Sequence, residues 1–181
     1  MDKRILLCFA LLCFVSFAWG MLRHFRRSGK PSRAMLITAL LALVSAALQL
    51  FALCRGPLRY PFVALTFYAA GAILFWWAVG VTRGKLAACG QGCVSAGIIT
   101  GGPYRFLRHP FYAAYVSIWI AGFAATGWWP LAFSAVMMAV RYHRAAREEE
   151  LGFMAGPLAA EYSLYKKRTG MYLPWKFGTT N

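Results

Sequence analysis

The stretch TGGPYRFLRHPFYAAY, Thr100 to Tyr115, lies between two hydrophobic runs and decides how the rest of the chain is read. Within eight positions it carries Arg105, Arg108, His109, Pro110 and Tyr112. A connector between membrane helices needs turn residues, but not this density of hydrogen-bond donors. Gly101, Gly102 and Pro103 let the backbone approach a ligand closely. Pro110 can open a helix, because the first turn has spare N–H groups in any case. Those N–H groups and the helix dipole would face Arg108 and His109, a place suited to an anionic group. The plainer reading of the same residues is a basic juxtamembrane loop held by anionic lipid.

The surrounding composition favours a membrane. The 181 residues suffice for one domain, and 60% are hydrophobic while only 14% are charged. That balance is far more apolar than a soluble domain. Lys and Arg outnumber Asp and Glu by 20 to 5, for a net charge of +15. Between apolar runs of this length the basic residues read as loop charges. They do not interleave with exposed aromatics as a single-strand groove requires, so no nucleic-acid partner is expected. Cys89 and Cys93 form a C-x₃-C pair with no second pair to complete a zinc site. No metal site and no disulfide framework are expected.

Read in order, the apolar runs predict about five transmembrane helices. Ile5 to Leu22 has the length and basic flanks of a first span rather than a cleaved signal peptide. Ala34 to Cys54 is a second, with Gln49 its most polar member, and Phe62 to Thr82 is a third, with Trp76 and Trp77 near its end. Phe111 to Thr126 is the fourth, and TGWWP (126–130) reads as a tight turn. Leu131 to Val140 is too short to span alone, so it must continue through RYHRAAREEE as one helix whose last turns leave the membrane. The fourth and fifth helices then form a close hairpin. Gly152, Gly156 and Pro157 are expected to interrupt the chain, and Leu158 to Lys167 to form a short amphipathic surface helix. The expected fold is therefore all-α, a single polytopic membrane domain over 1–181. Residues 1–82 supply three spans, and residues 83–181 the hairpin and a cytoplasmic helical tail.

Loop charge orients this arrangement. With the amino terminus outside, segments 23–33, 83–108 and 141–176 lie inside and hold sixteen basic residues, against four outside. The positive-inside rule thus makes the carboxyl terminus cytoplasmic. It also brings the Thr100–Tyr115 stretch to the same face as a second polar cluster, Arg141, His143, Arg144, Arg147, Glu148, Glu149 and Glu150. On a helix Arg144 and Glu148 can pair, as can Arg147 and Glu150. Exposed pairs of this kind contribute little. Three of the five acidic residues, however, sit near a helix carboxyl terminus, where the dipole disfavours them. Such a placement points to a task, such as binding a cation or sugar hydroxyls.

GGPYRFLRHPFY, the apolar hairpin, REEE and AEYSLYKKRTGMYLP together resemble the isoprenylcysteine carboxyl methyltransferase family. That family belongs to a wider group with the membrane phospholipid methyltransferases. The likeness runs from Ala96 to Pro174; the first three spans match only as generic apolar helices. It implies a membrane S-adenosylmethionine-dependent methyltransferase of the bacterial cytoplasmic membrane or endoplasmic reticulum. Its acceptor would be lipid-like, such as the carboxylate of a prenylated cysteine. Ala96, Gly97, Ile98, Ile99 and Tyr104 would line the S-adenosylmethionine pocket. His109, Pro110, Phe111 and Tyr112 would hold its amino-acid and adenosine parts. Glu150 would contact it from the fifth helix, supported by Glu149, and Arg108 or His109 would meet its carboxylate. Family members acting on prenylated cysteine have an arginine where this chain has Ala146; Arg144 and Arg147 are the nearest candidates for the acceptor. Alternative readings are a phospholipid N-methyltransferase, an NADPH-dependent sterol-reductase-like enzyme, against which Phe111 speaks, and a non-enzymatic protein that binds anionic lipid.

Overall fold

The computed structural model describes residues 2–24, 32–82 and 97–174, and its regular structure there is helical. Six α-helices follow in order: α1 (Lys3–His24), α2 (Arg33–Arg55), α3 (Pro61–Thr82), α4 (Pro110–Thr126), α5 (Trp129–Met154) and α6 (Ala159–Arg168). α1, α2 and α3 are each long and apolar enough to cross a membrane. Their outward faces carry large exposed hydrophobic side chains, including Leu12, Val15, Leu43, Phe62 and Ile73. Water would disfavour such faces and hydrocarbon would not.

Local chemistry sets the helix ends. Ser32 caps α2, its hydroxyl accepting from the Met35 N–H at 3.2 Å. Pro110 opens α4. α4 ends at Gly127, which turns left-handed at φ 66° and donates to Phe123 O at 2.7 Å. A side chain at Gly127 would run into Arg59. Only Gly127 and Trp128 separate α4 from α5, so the turn is shorter than the expected 126–130; Trp129 and Pro130 already belong to α5. Gly152 does not interrupt α5, which continues to Met154. Nothing crowds Gly152, and one glycine costs a helix only about 1 kcal/mol. The chain turns at Ala155 and Gly156 instead.

α3 is the centre of the bundle and packs most extensively on α4 and next on α1. Gly71 lets α3 approach the backbone of α4 at Ala114. Phe17 of α1 stacks on Phe75 of α3 at 4.0 Å between ring centroids. A second core of Trp119, Ala135, Met138 and Tyr142 joins α4 to α5. Gln49 is 1% exposed in the middle of the bundle; it donates to Tyr68 Oη at 2.5 Å and to Ile118 O at 3.2 Å, tying α2 to α3 and α4. Gly122 makes room for its carboxamide.

The two short links, 56–60 and 127–128, lie together at one end, where Arg59 N–H donates to Ala125 O at 2.7 Å. The opposite end gathers the start of α2, the end of α3, the start of α4 and the charged end of α5. There Arg141 reaches α2, donating to Ala34 O and to Thr38 Oγ1 at 2.8 and 2.7 Å. That second end carries the candidate site.

Candidate functional site

The entry into α4 is folded back on α3. Gly102 has φ 57°, and a side chain there would collide with Val81 near the end of α3. Gly102 therefore serves close approach to the protein's own helix, where the sequence leads one to expect a ligand. Gly102–Arg105 forms a single 3-10 turn. It buries Pro103 and Tyr104 and turns Arg105 and Phe106 outward. Leu107 is buried again, and Arg108 points inward with its side chain 9% exposed.

The segment after α6 zips onto this stretch through backbone bonds. Gly170 N–H donates to Phe106 O at 3.1 Å, Arg108 N–H to Gly170 O at 2.8 Å, and His109 N–H to Met171 O at 3.2 Å. This makes a parallel β-bridge between Leu107 and Gly170. Tyr165 Oη donates to Tyr104 O at 2.8 Å, and the Arg108 guanidinium donates to Thr169 O. The start of α4 is thus held by the tail of the chain.

α5 supplies the carboxylates. Tyr142, Ala146 and Glu150 recur every four residues and form its buried face. Glu150 is 4% exposed in its side chain; Oε1 accepts from Arg108 Nε at 2.8 Å and Oε2 from Lys166 Nζ of α6 at 2.8 Å. Burial by itself would raise its pKa. Hydrogen bonds from His109, Lys166 and Arg108, with the Arg108 charge, outweigh burial and hold the carboxyl well below the usual range. His109 sits between the two glutamates, Nε2 3.3 Å from Glu150 and Nδ1 3.6 Å from Glu149. Tyr112 Oη donates to the other oxygen of Glu149. Tyr172 closes the rim, its ring 6.2 Å from that of His109 and its hydroxyl 3.3 Å from His143 Nδ1. Burial and the two nearby glutamates push the Tyr172 phenol up to about 12.

Arg108, His109, Tyr112, Glu149 and Glu150 thus meet in one cluster across 42 positions of sequence. Tyr104 is buried in the apolar core with residues of α3 and α4. Pro110 and Phe111 face the helix core, with Phe111 edge-on to Phe75 at 5.4 Å. Gly97 is exposed and Ile98 and Ile99 are half-buried; Ala96 lies outside the described residues. Arg144 and Arg147 are exposed on the outer side of α5 and do not join the cluster. The pairs expected on α5 itself are replaced. Glu150 turns to Arg108 and Lys166 rather than Arg147, and Arg144 and Glu148 form no ion pair among the described residues.

Lys166, Thr169 and Tyr172 enter the site without having been singled out from sequence. Their signal was the spacing within AEYSLYKKRTGMYLP, which places Lys166 at the end of a short helix and Tyr172 just past it. The anionic partner expected at the start of α4 is the chain's own Glu150. Its side chain is sealed by three neighbours, whereas Lys166 (41% exposed), Glu149 (18%) and Tyr172 stay accessible at the rim. Chemically, the rim offers a carboxylate, an ammonium and aromatic faces around one imidazole. Comparisons with protein families, with characterised proteins and with solved structures find no match to this chain.

Proposed function

We propose that the protein is a membrane-embedded methyltransferase that uses S-adenosylmethionine to methylate a lipid-like acceptor. The observation that carries this reading is the meeting of His109, Tyr112 and Arg108 with Glu149 and Glu150 at one end of the bundle. In this reading α4 and α5 form a transmembrane hairpin, the bundle crosses the membrane five times, and the cluster lies at the cytoplasmic face. The donor set fits a nucleoside that bears a sulfonium, an ammonium and a carboxylate. Glu149 would take the ammonium or the ribose hydroxyls, Lys166 the carboxylate, and Tyr104, Tyr112 and Tyr172 the adenine and the sulfonium. The sealed Glu150 would act by holding Arg108 and His109 in place.

When bound, S-adenosylmethionine supplies an electrophilic methyl group: the acceptor's bond to carbon forms as the carbon–sulfur bond breaks, and sulfur keeps the electron pair. A carboxylate acceptor is already ionised at neutral pH and needs no base. The chain would then contribute positioning and exclusion of water. An amine acceptor must first lose a proton, and Glu149, the accessible carboxylate of the rim, would be the candidate to take it. Ala146, where the family that this chain resembles carries an arginine, is fully buried and brings no charge to the acceptor side. For that reason both acceptors belong in the test. Labelled S-adenosylmethionine is offered to the purified protein with a prenylcysteine analogue or with a phospholipid extract. Label entering either lipid fraction supports the reading. No transfer to either, together with no binding of S-adenosylhomocysteine to the folded protein, refutes it.

A further inference from the structure

Arg105 is the arginine of the YRFLR run that the cluster does not use. It is exposed, its guanidinium stands 5.9 Å over the Phe106 ring, and no carboxylate lies within ion-pair distance of it among the described residues. Phe106 in turn lines a cavity of about 240 Å³ with Leu74, Trp77, Pro103, Leu107 and Pro174. None of the six lining side chains is charged or bears a hydroxyl, so nothing there would orient a polar ligand. Of the lining residues, Trp77 and Phe106 are large, apolar and exposed, as are Ile73 and Leu173, the chain neighbours of Leu74 and Pro174. Trp77 lies in the last two turns of α3, an apolar helix long enough to span; if α3 spans, its indole would sit near the boundary between hydrocarbon and headgroups.

From this arrangement we infer a binding site for an anionic membrane lipid. One acyl chain lies in the cavity and the headgroup phosphate is held by Arg105. A cation with no ion-pair partner among the described residues, stacked on a ring that lines an apolar pocket, matches a molecule with a negative head and a hydrocarbon tail. A zwitterionic lipid brings its own cation to the same place and gains less. Leu107 forms a wall of the cavity and adjoins Arg108, so an occupied site would brace the loop that enters α4. The inference does not rest on methyl transfer.

The test is tryptophan quenching in bilayers. The full chain is reconstituted in dioleoyl phosphatidylcholine with increasing dibrominated phosphatidylglycerol, or with dibrominated phosphatidylcholine as the comparison. Quenching by phosphatidylglycerol should saturate at a low mole fraction, and Trp77→Phe should remove that component. Arg105→Gln should lower the preference for phosphatidylglycerol about fivefold, the effect of one basic residue near an anionic surface, and Arg105→Lys should retain most of it. Leu74→Phe, which narrows the cavity without adding an indole, should weaken the saturable component. Equal quenching by both lipids, unchanged in Arg105→Gln, overturns the inference. So does the absence of any Trp77-dependent quenching, the result expected if a protein segment occupied the cavity.

Discussion

Arg108 Nε lies 2.8 Å from Glu150 Oε1, and the two side chains are 9% and 4% exposed. The pair joins the loop before α4 to the last turns of α5, and Arg108 Nη1 donates to the carbonyls of Lys166 and Thr169. Deleting the carboxylate leaves a buried guanidinium without its counter-charge. Glu150→Gln should therefore destabilise the detergent-solubilised protein by about 3–5 kcal/mol. Lys166→Met, at the exposed partner of the same carboxylate, should cost less than about 1 kcal/mol. Denaturant unfolding of the three proteins decides; equal losses in both variants would mean that burial is not what strengthens the pair.

The same carboxylate predicts an acid dependence with a definite sign. Its folded pKa is depressed, so the unfolded chain takes up its proton first as pH falls. The stability it contributes is fully present above the ordinary glutamate range, about 4.3, and is lost as pH drops from there toward the lower folded value. Wild type should lose thermal stability over that acidic interval, whereas Glu150→Gln should lose much less. Parallel curves for the two proteins would assign the acid sensitivity to another group.

Inside the bundle, Gly122 and Gln49 are coupled. A methyl group at 122 would enter the space of the Gln49 carboxamide, which two hydrogen bonds hold in place. Gly122→Ala should cost about 1–3 kcal/mol by overpacking. Adding Gln49→Ala to that variant should cost less than Gln49→Ala does alone, because the clash is gone. A double-mutant cycle with no coupling energy would separate the two residues.

Ligand binding should follow the two faces of α5. Tyr112→Phe removes the donor to Glu149 and should weaken S-adenosylhomocysteine about tenfold, the effect of one hydrogen bond to a charged group. His109→Ala should weaken it further. Arg144→Ala and Arg147→Ala lie on the exposed face and should leave affinity unchanged. Calorimetry in detergent measures all four. A loss at Arg144 as large as that at His109 would place the ligand on the outer surface.

The helices were legible because long apolar runs and terminal turn residues speak locally. The α2 reading of 34–54 differs from Arg33–Arg55 by one residue at each end, and Ser32 and Gly56 explain both ends. Gly152 misled because an exposed glycine weakens a helix without ending one. Half of the cluster was also legible: the RHP stretch and the glutamates of α5 stood out as polar density beside apolar runs. Their mutual pairing was not. Spacing along one helix favours Arg147 for Glu150, but which face is buried depends on the other helices, and burial drew Glu150 to Arg108. Lys166 was hidden for a related reason: one lysine in a basic helix end looks like any other until its neighbour is known.

The bridge between Leu107 and Gly170 is made by peptide groups, so among side-chain replacements only proline, which lacks the N–H, removes one of its hydrogen bonds outright. It also sets an order of events. The loop ahead of α4 leaves the ribosome some sixty residues before its backbone partner, so the apolar helices can be inserted and packed while this corner of the protein is still unfinished. On the proposed function, activity would await synthesis of the segment around Gly170, and a chain cut short before Gly170 should insert normally and yet stay inert.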